Sequence, residues 1–154
     1  MTSYSFISVQ ATLSGPGGSV PLGYGSGTAE DGAIETDMTE AKNTMTVGCD
    51  GTIMHSLHAS DGGRMTIRLL KTSPANAALN AMYNLQKSDA TLWGQNTLVA
   101  SDTARGDVLT GTVMAFDKQS PVKYGKDGGD TEWNFVGNIE EILGTGTPAA
   151  GGGV

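Results

Sequence analysis

The 154-residue chain carries a formal net charge of −7, has 23 glycines and contains a single cysteine. Lysine and arginine form no basic stripe, which argues against binding nucleic acid through its phosphates. Lone Cys49 rules out an intrachain disulfide.

Leu, Ile, Val and Phe make up under a fifth of the chain, close to the limit for building a core. Glycine stands at about twice its average usage of roughly 7%. With many turn formers and few charges, the composition predicts one β-rich domain over residues 1–154, part of its stability drawn from neighbouring molecules. The N-terminus shows no basic segment followed by an apolar run, and no 18-residue apolar stretch exists. The expectation is a protein made in a cytoplasm, with no signal peptide and no membrane span.

Residues 4–13 alternate, with Ile7, Val9, Ala11 and Leu13 opposite Ser8, Gln10 and Thr12, the pattern of a half-buried strand. Gly15-Pro16-Gly17-Gly18 ends it, and residues 19–24 form a short return strand. Residues 25–32 read as a loop and 33–39 as a strand bearing Glu35 and Asp37. Thr44–Cys49 and Thr52–His58 flank Asp50-Gly51, which predicts a two-residue type I′ hairpin. That register pairs Val47 with Met54 and Met45 with Ser56, and leaves both faces of the ribbon partly apolar, so both need burial.

Residues 64–71 form the next strand, with Met65, Ile67 and Leu69 on one side. Ser73-Pro74 then opens a helix over 74–87, whose stripe is Ala75, Ala78, Leu79, Met82 and Leu85. Strands return at 96–101 and 107–118, where simple alternation puts Val108, Met114 and Phe116 on one face. Residues 131–137 form a strand with Trp133 and Phe135 inward, and 139–143 a shorter element. Both tryptophans, Trp93 and Trp133, read as buried. Residues 144–154 are a flexible Gly/Ala/Pro-rich tail.

No catalytic constellation emerges. His55 and His58 are three apart and point to opposite faces of a strand, and one cysteine does not complete a four-ligand zinc set. Asp61-Gly62-Gly63 and Asp127-Gly128-Gly129-Asp130 lack the calcium-loop pattern and read as turns. Gly23-Tyr24-Gly25-Ser26-Gly27 has the wrong spacing for a nucleophile elbow. No enzyme activity, cofactor or metal site is expected.

Several short segments occur together in order: Lys42-Asn43-Thr44-Met45-Thr46-Val47-Gly48, Asp50-Gly51, Met54-His55-Ser56-Leu57, Leu69-Leu70-Lys71-Thr72-Ser73-Pro74 and Gly94-Gln95-Asn96-Thr97. Asp102-Thr103-Ala104-Arg105-Gly106-Asp107, Glu132-Trp133 and Leu143-Gly144-Thr145-Gly146 complete the set. Together, from about Tyr4 to Pro148, the chain resembles tail tube proteins of contractile-tailed bacteriophages, related in fold to type VI secretion tube proteins.

The resemblance implies a small β-barrel or sandwich with one flanking helix. It also implies hexameric rings stacked helically into a hollow tube inside a contractile sheath, in a virion assembled in the host cytoplasm. Sheath, baseplate and tail terminator proteins are the implied partners, and DNA passes through the lumen to the host without specific binding.

Within that frame, Met45, Val47, Ile53, Met54 and Leu57 are candidates for the contact between rings. Ser8, Gln10, Thr12, Glu35 and Asp37 are candidates for the lumen wall, where an acidic or neutral surface would not retain DNA. Arg64, Arg68 and Arg105 are candidates for charge pairing between subunits. The alternatives are a β-sandwich binding or adhesin module, which needs an exposed aromatic platform, a small hydrolase, which needs a nucleophile–base pair, and another tail component such as sheath or baseplate.

Overall fold

The computed structural model describes residues 4–25 and 34–145. The expected loop at 25–32 and tail at 144–154 fall largely outside these residues. The described elements, in chain order, are β1 (Val9–Gly15), β2 (Gly18–Pro21), β3 (Ile34–Met38), β4 (Asn43–Val47), β5 (Ile53–Leu57), β6 (Gly62–Leu70), α1 (Ala75–Lys87), β7 (Asn96–Asp102), β8 (Asp107–Phe116) and β9 (Asp130–Ile142). Short 3-10 turns occupy Phe6–Ser8 and Ala90–Leu92.

One antiparallel sheet runs in the order β2-β1-β7-β8-β9-β6-β3, while β4 and β5 pair only with each other. The larger sheet curls. Ile34 at the β3 edge lines one cavity with Phe6 and Val9 from the far side of the sheet and with Ala100 and Leu109. Thr36 donates to Glu141 Oε1 at 2.8 Å although β6 lies between their strands. The architecture is thus a barrel-like sheet with a flanking helix, as expected from the sequence, but β2 and β3 do not pair to close it.

The inward face holds the core: Leu13, Leu22, Met65, Ile67, Leu69, Leu98, Met114 and Phe135, each fully buried, with α1 contributing Leu79 and Met82. Phe116 is the aromatic hub. It meets Phe135 at 4.9 Å, Tyr83 at 5.6 Å and Trp133 at 6.0 Å between ring centroids, edge-on or tilted as ring quadrupoles favour.

The Trp133 indole N–H donates to Asn76 Oδ1, tying β9 to the first turn of α1. Ser73 Oγ accepts from the Ala75 N–H and starts the helix, with Pro74 at φ −66°, already helical. Trp93 was expected inside; it lies edge-on to Tyr83 and is 38% exposed.

Other local readings are corrected too. Ile7 belongs to a 3-10 turn that breaks the alternation and leaves it exposed. Leu85 is also exposed, and Gln86 takes the buried position at the end of the helix. Residues 130–142 form one continuous strand rather than two elements.

In β8, the register shifts between Thr112 and Ala115, and Val113 adopts φ 53°. This bulge switches the inward parity from odd to even. Leu109 and Gly111 precede it on the inward side, Met114 and Phe116 follow, and Val108 faces out. Gly137 lies across from the bulge because a Cβ there would strike Met114 Sδ and the Val113 carbonyl oxygen.

Candidate assembly surfaces

The β4–β5 hairpin differs from its sequence reading by one step of register. Val47 pairs with Ile53, Met45 with His55 and Asn43 with Leu57. The loop closes through the Gly48 N–H donating to the Thr52 carbonyl at 2.7 Å, so Cys49-Asp50-Gly51 form a three-residue connection. Gly51 sits at φ 87°, and Asp50 Oδ1 accepts from the Thr52 N–H. This is the turn-plus-glycine-bulge alternative to a two-residue turn. The Thr52 N–H and hydroxyl beside Asp50 hold its carboxyl below the ordinary carboxylate value.

Because directly paired residues share a face, the one-step shift re-sorts the side chains. Met45, Val47, Ile53 and Leu57 gather on one face, and Thr44, Thr46 and Ser56 occupy the other with Met54. The ribbon is therefore amphipathic, rather than apolar on both sides. Its apolar residues are nonetheless uncovered: Met45, Val47, Ile53 and Met54 are 54–58% exposed and Leu57 81%. Lys42 fixes the base of the hairpin through Asp61 at 2.8 Å.

The outward face of the curled sheet divides into two regions. Across β1, β7 and β8 it is uncharged, in rows such as Thr12–Val99–Thr110 and Gln10–Ser101–Val108. Across β9, β6 and β3 it is charged. Gln10, Thr12, Glu35 and Asp37 all lie on this face. Ser8 does not; it sits in the 3-10 turn, and its hydroxyl donates to Asp102 Oδ1 at 2.8 Å.

Each candidate arginine makes an ion pair within its own chain. Arg64 reaches Asp117 at 3.3 Å, Arg68 reaches Glu35 at 3.0 Å and Glu132 at 3.4 Å, and Arg105 reaches Asp102 at 3.2 Å. The Arg105–Asp102 pair is the buried one. Burial pushes the Asp102 carboxyl up, but hydrogen bonds from Ser8, the Arg105 guanidinium and the Ala104 and Arg105 N–H groups outweigh it and leave the group below its ordinary value. Arg105 also stacks over the Tyr4 ring at 5.0 Å, so this corner anchors the chain ahead of β1.

A second buried polar lock was invisible in the sequence. Gln86 Nε2 donates to Asn96 Oδ1 at 2.7 Å, and Asn96 Nδ2 donates back to Gln86 Oε1 at 2.8 Å. Both side chains are fully buried, and Gln86 also donates to the Pro16 carbonyl, so the pair joins α1, β7 and the β1–β2 turn. A Cβ on Gly15 would land on Asn96 Oδ1.

His55 and His58 lie on opposite faces of the hairpin, bonded to Asn43 and Thr44 respectively. No group of three or more His, Cys, Asp or Glu residues is placed to hold a metal ion among the described residues. No helix there is long and apolar enough to cross a membrane.

The fold is a curled antiparallel sheet with one covering helix and, outside that sheet, a two-stranded hairpin whose apolar residues are exposed in the single chain. The chain belongs to the bacteriophage PhiTE tail tube protein family, whose model matches residues 1–144. It is therefore a structural subunit of a phage tail. Its fold is similar to that of the anti-feeding prophage cap, a tube-terminating cap solved by cryo-electron microscopy. The TM-score is 0.54 and the sequence identity 14%, over 93% of this chain and 94% of that one. No curated protein sequence matches the chain significantly.

Proposed function

We propose that this protein is a non-enzymatic, single-domain tube subunit. Six copies form a ring, and rings stack into a hollow tube inside a contractile sheath, capped and nucleated by terminator and baseplate proteins, through which DNA leaves the virion. The observation that carries this reading is the β4–β5 hairpin. Four large apolar side chains on one face of a ribbon outside the main sheet are uncovered in the single chain. Such a surface marks a protein–protein contact.

The remaining assignments follow from the same geometry. Met45, Val47, Ile53 and Leu57 contact the next ring, with Met54 on the reverse face. The outward sheet face bearing Gln10, Thr12, Glu35 and Asp37 lines the channel. Its cations, Arg64 and Arg68, are held by Asp117, Glu35 and Glu132, and the rest of the face is uncharged or acidic, which disfavours retention of phosphates. Within the main sheet, β2 and β3 are paired on one side only, and such edges are suited to pairing between neighbours in a ring. Arg64, Arg68 and Arg105 act by holding their own subunit together.

Negative-stain electron microscopy of the purified chain at high concentration tests the reading. Hollow tubes or six-fold rings with a central hole are expected. Uniform single-chain particles at every concentration and salt condition would overturn it.

A further inference from the structure

The strands of the main sheet run between two poles of opposite charge. At one pole β3 ends, β6 begins and β9 runs past them, because Met38 pairs with Gly63 and Asn138 with Gly62. Glu40, Glu140 and Glu141 lie there, and so does the base of the hairpin, at the Lys42–Asp61 pair. At the other pole β6 ends at Leu70, opposite Asp130. Lys71 and the β8–β9 connection, residues 117–129, lie there and bring together Lys71, Lys118, Lys123 and Lys126 against Asp117, Asp127 and Asp130, with Asp117 engaged by Arg64. The two poles are about 26 Å apart, the length of β6 at about 3.3 Å per residue.

The lysine pole carries a cavity of about 280 Å³ between α1 and this connection, lined by Lys71, Asn80, Ser120, Val122, Lys123 and Trp133 among others. Ser120 is buried, and its Oγ has no hydrogen-bond partner. Lys71 donates to the Lys123 carbonyl and lies over the Tyr124 ring, which braces the rim. Beside it, Val122 is 65% and Tyr124 87% exposed. The site thus combines exposed apolar side chains, excess positive charge and an unused hydroxyl. The opposite pole combines an exposed apolar stripe with excess negative charge.

We propose that the Lys71–Lys123 cavity is the socket for the hairpin pole of a second copy of this chain. The apolar hairpin face meets Val122 and Tyr124, and Glu40 and Glu140 face Lys123 and Lys126. Two different, complementary surfaces on one subunit make a head-to-tail contact, the kind that propagates into rings or filaments rather than stopping at a dimer. The inference rests on the self-assembly proposed above and names the surface that receives the hairpin.

A charge-exchange experiment tests it. One variant carries Lys123→Glu and Lys126→Glu; the other carries Glu40→Lys and Glu140→Lys. All four side chains are exposed, so each variant should keep the circular dichroism spectrum and melting temperature of the wild type. Each variant alone should raise the concentration at which tubes first appear about tenfold or more, since two attractive pairs become repulsive. An equimolar mixture should assemble near the wild-type concentration, because each acidic socket then meets a lysine-bearing pole and each lysine socket an acidic one.

Tube formation by either variant alone at the wild-type concentration would overturn the socket. So would a mixture as inert as its folded components. In both cases wild-type tubes would leave the tube reading standing, whereas a wild type that never assembles overturns both.

Discussion

Strand β6 and the β4–β5 hairpin are spelled with the same letters and meet opposite fates. Met65, Ile67 and Leu69 in β6 are fully buried, while Met45, Ile53 and Leu57 in the hairpin are each more than half exposed. Both regions alternate apolar and polar residues, so strand periodicity does not distinguish them. The neighbours do. β6 lies between β9 and β3, and its apolar side chains share one core cluster with Phe135, Leu79 and Met82, whereas β4 and β5 have only each other. An apolar stripe with a partner inside the chain is core; one without is, on the proposed function, a contact for another subunit. The body should therefore answer to mutation through stability and the hairpin through assembly.

The largest expected effect on stability lies in the body. Phe116→Ala removes the ring against which Tyr83, Trp133 and Phe135 pack, and should cost about 3–5 kcal/mol in a urea titration of the unassembled chain. Asn96→Ala comes next. It strands the fully buried Gln86 amide without its reciprocal partner and should cost about 1–3 kcal/mol.

Asp102→Asn adds a pH signature. The folded carboxyl lies below its ordinary value. Its contribution is therefore complete above about pH 4, where the unfolded group ionises, and fades as pH falls through the lower folded value. The stability gap between wild type and variant, measured by urea titration across pH, should be widest near neutrality and should close in acid. The smallest expected effect on stability is in the hairpin. Val47→Ser with Leu57→Ser should move the unfolding free energy by no more than about 0.5 kcal/mol, while abolishing tube formation.

Much of the body was legible because its strands depend on period alone. β6, β7 and the inward Trp133 and Phe135 of β9 follow from alternation, and α1 follows from Ser73-Pro74 and its apolar stripe. What escaped reading depends on single backbone irregularities or on partners distant in sequence. The Val113 bulge flips parity halfway along β8 without any turn residue to announce it. The hairpin register turns on whether Asp50-Gly51 closes a two- or a three-residue loop, and both suit glycine at positive φ.

Gln86 and Asn96 look like surface amides until the β1–β2 turn closes over them at Gly15 and Pro16. The pairs that Arg64 and Arg68 make within the chain escaped reading for the same reason: Asp117 and Glu132 are their neighbours only after the sheet forms. Of the two surfaces proposed to meet, the hairpin was visible in sequence. The proposed lysine socket was not, because its lining comes from Lys71, α1, β9 and the connection after β8.

The account stands on the claim that the hairpin's apolar face exists for another subunit. The most direct measurement is electron microscopy of the wild type and the Val47→Ser, Leu57→Ser variant side by side at the same concentration, with each chain's fold checked by its melting curve. Hollow tubes from the wild type and only folded single particles from the variant are the predicted result. Tubes of equal length and number from both would contradict the claim.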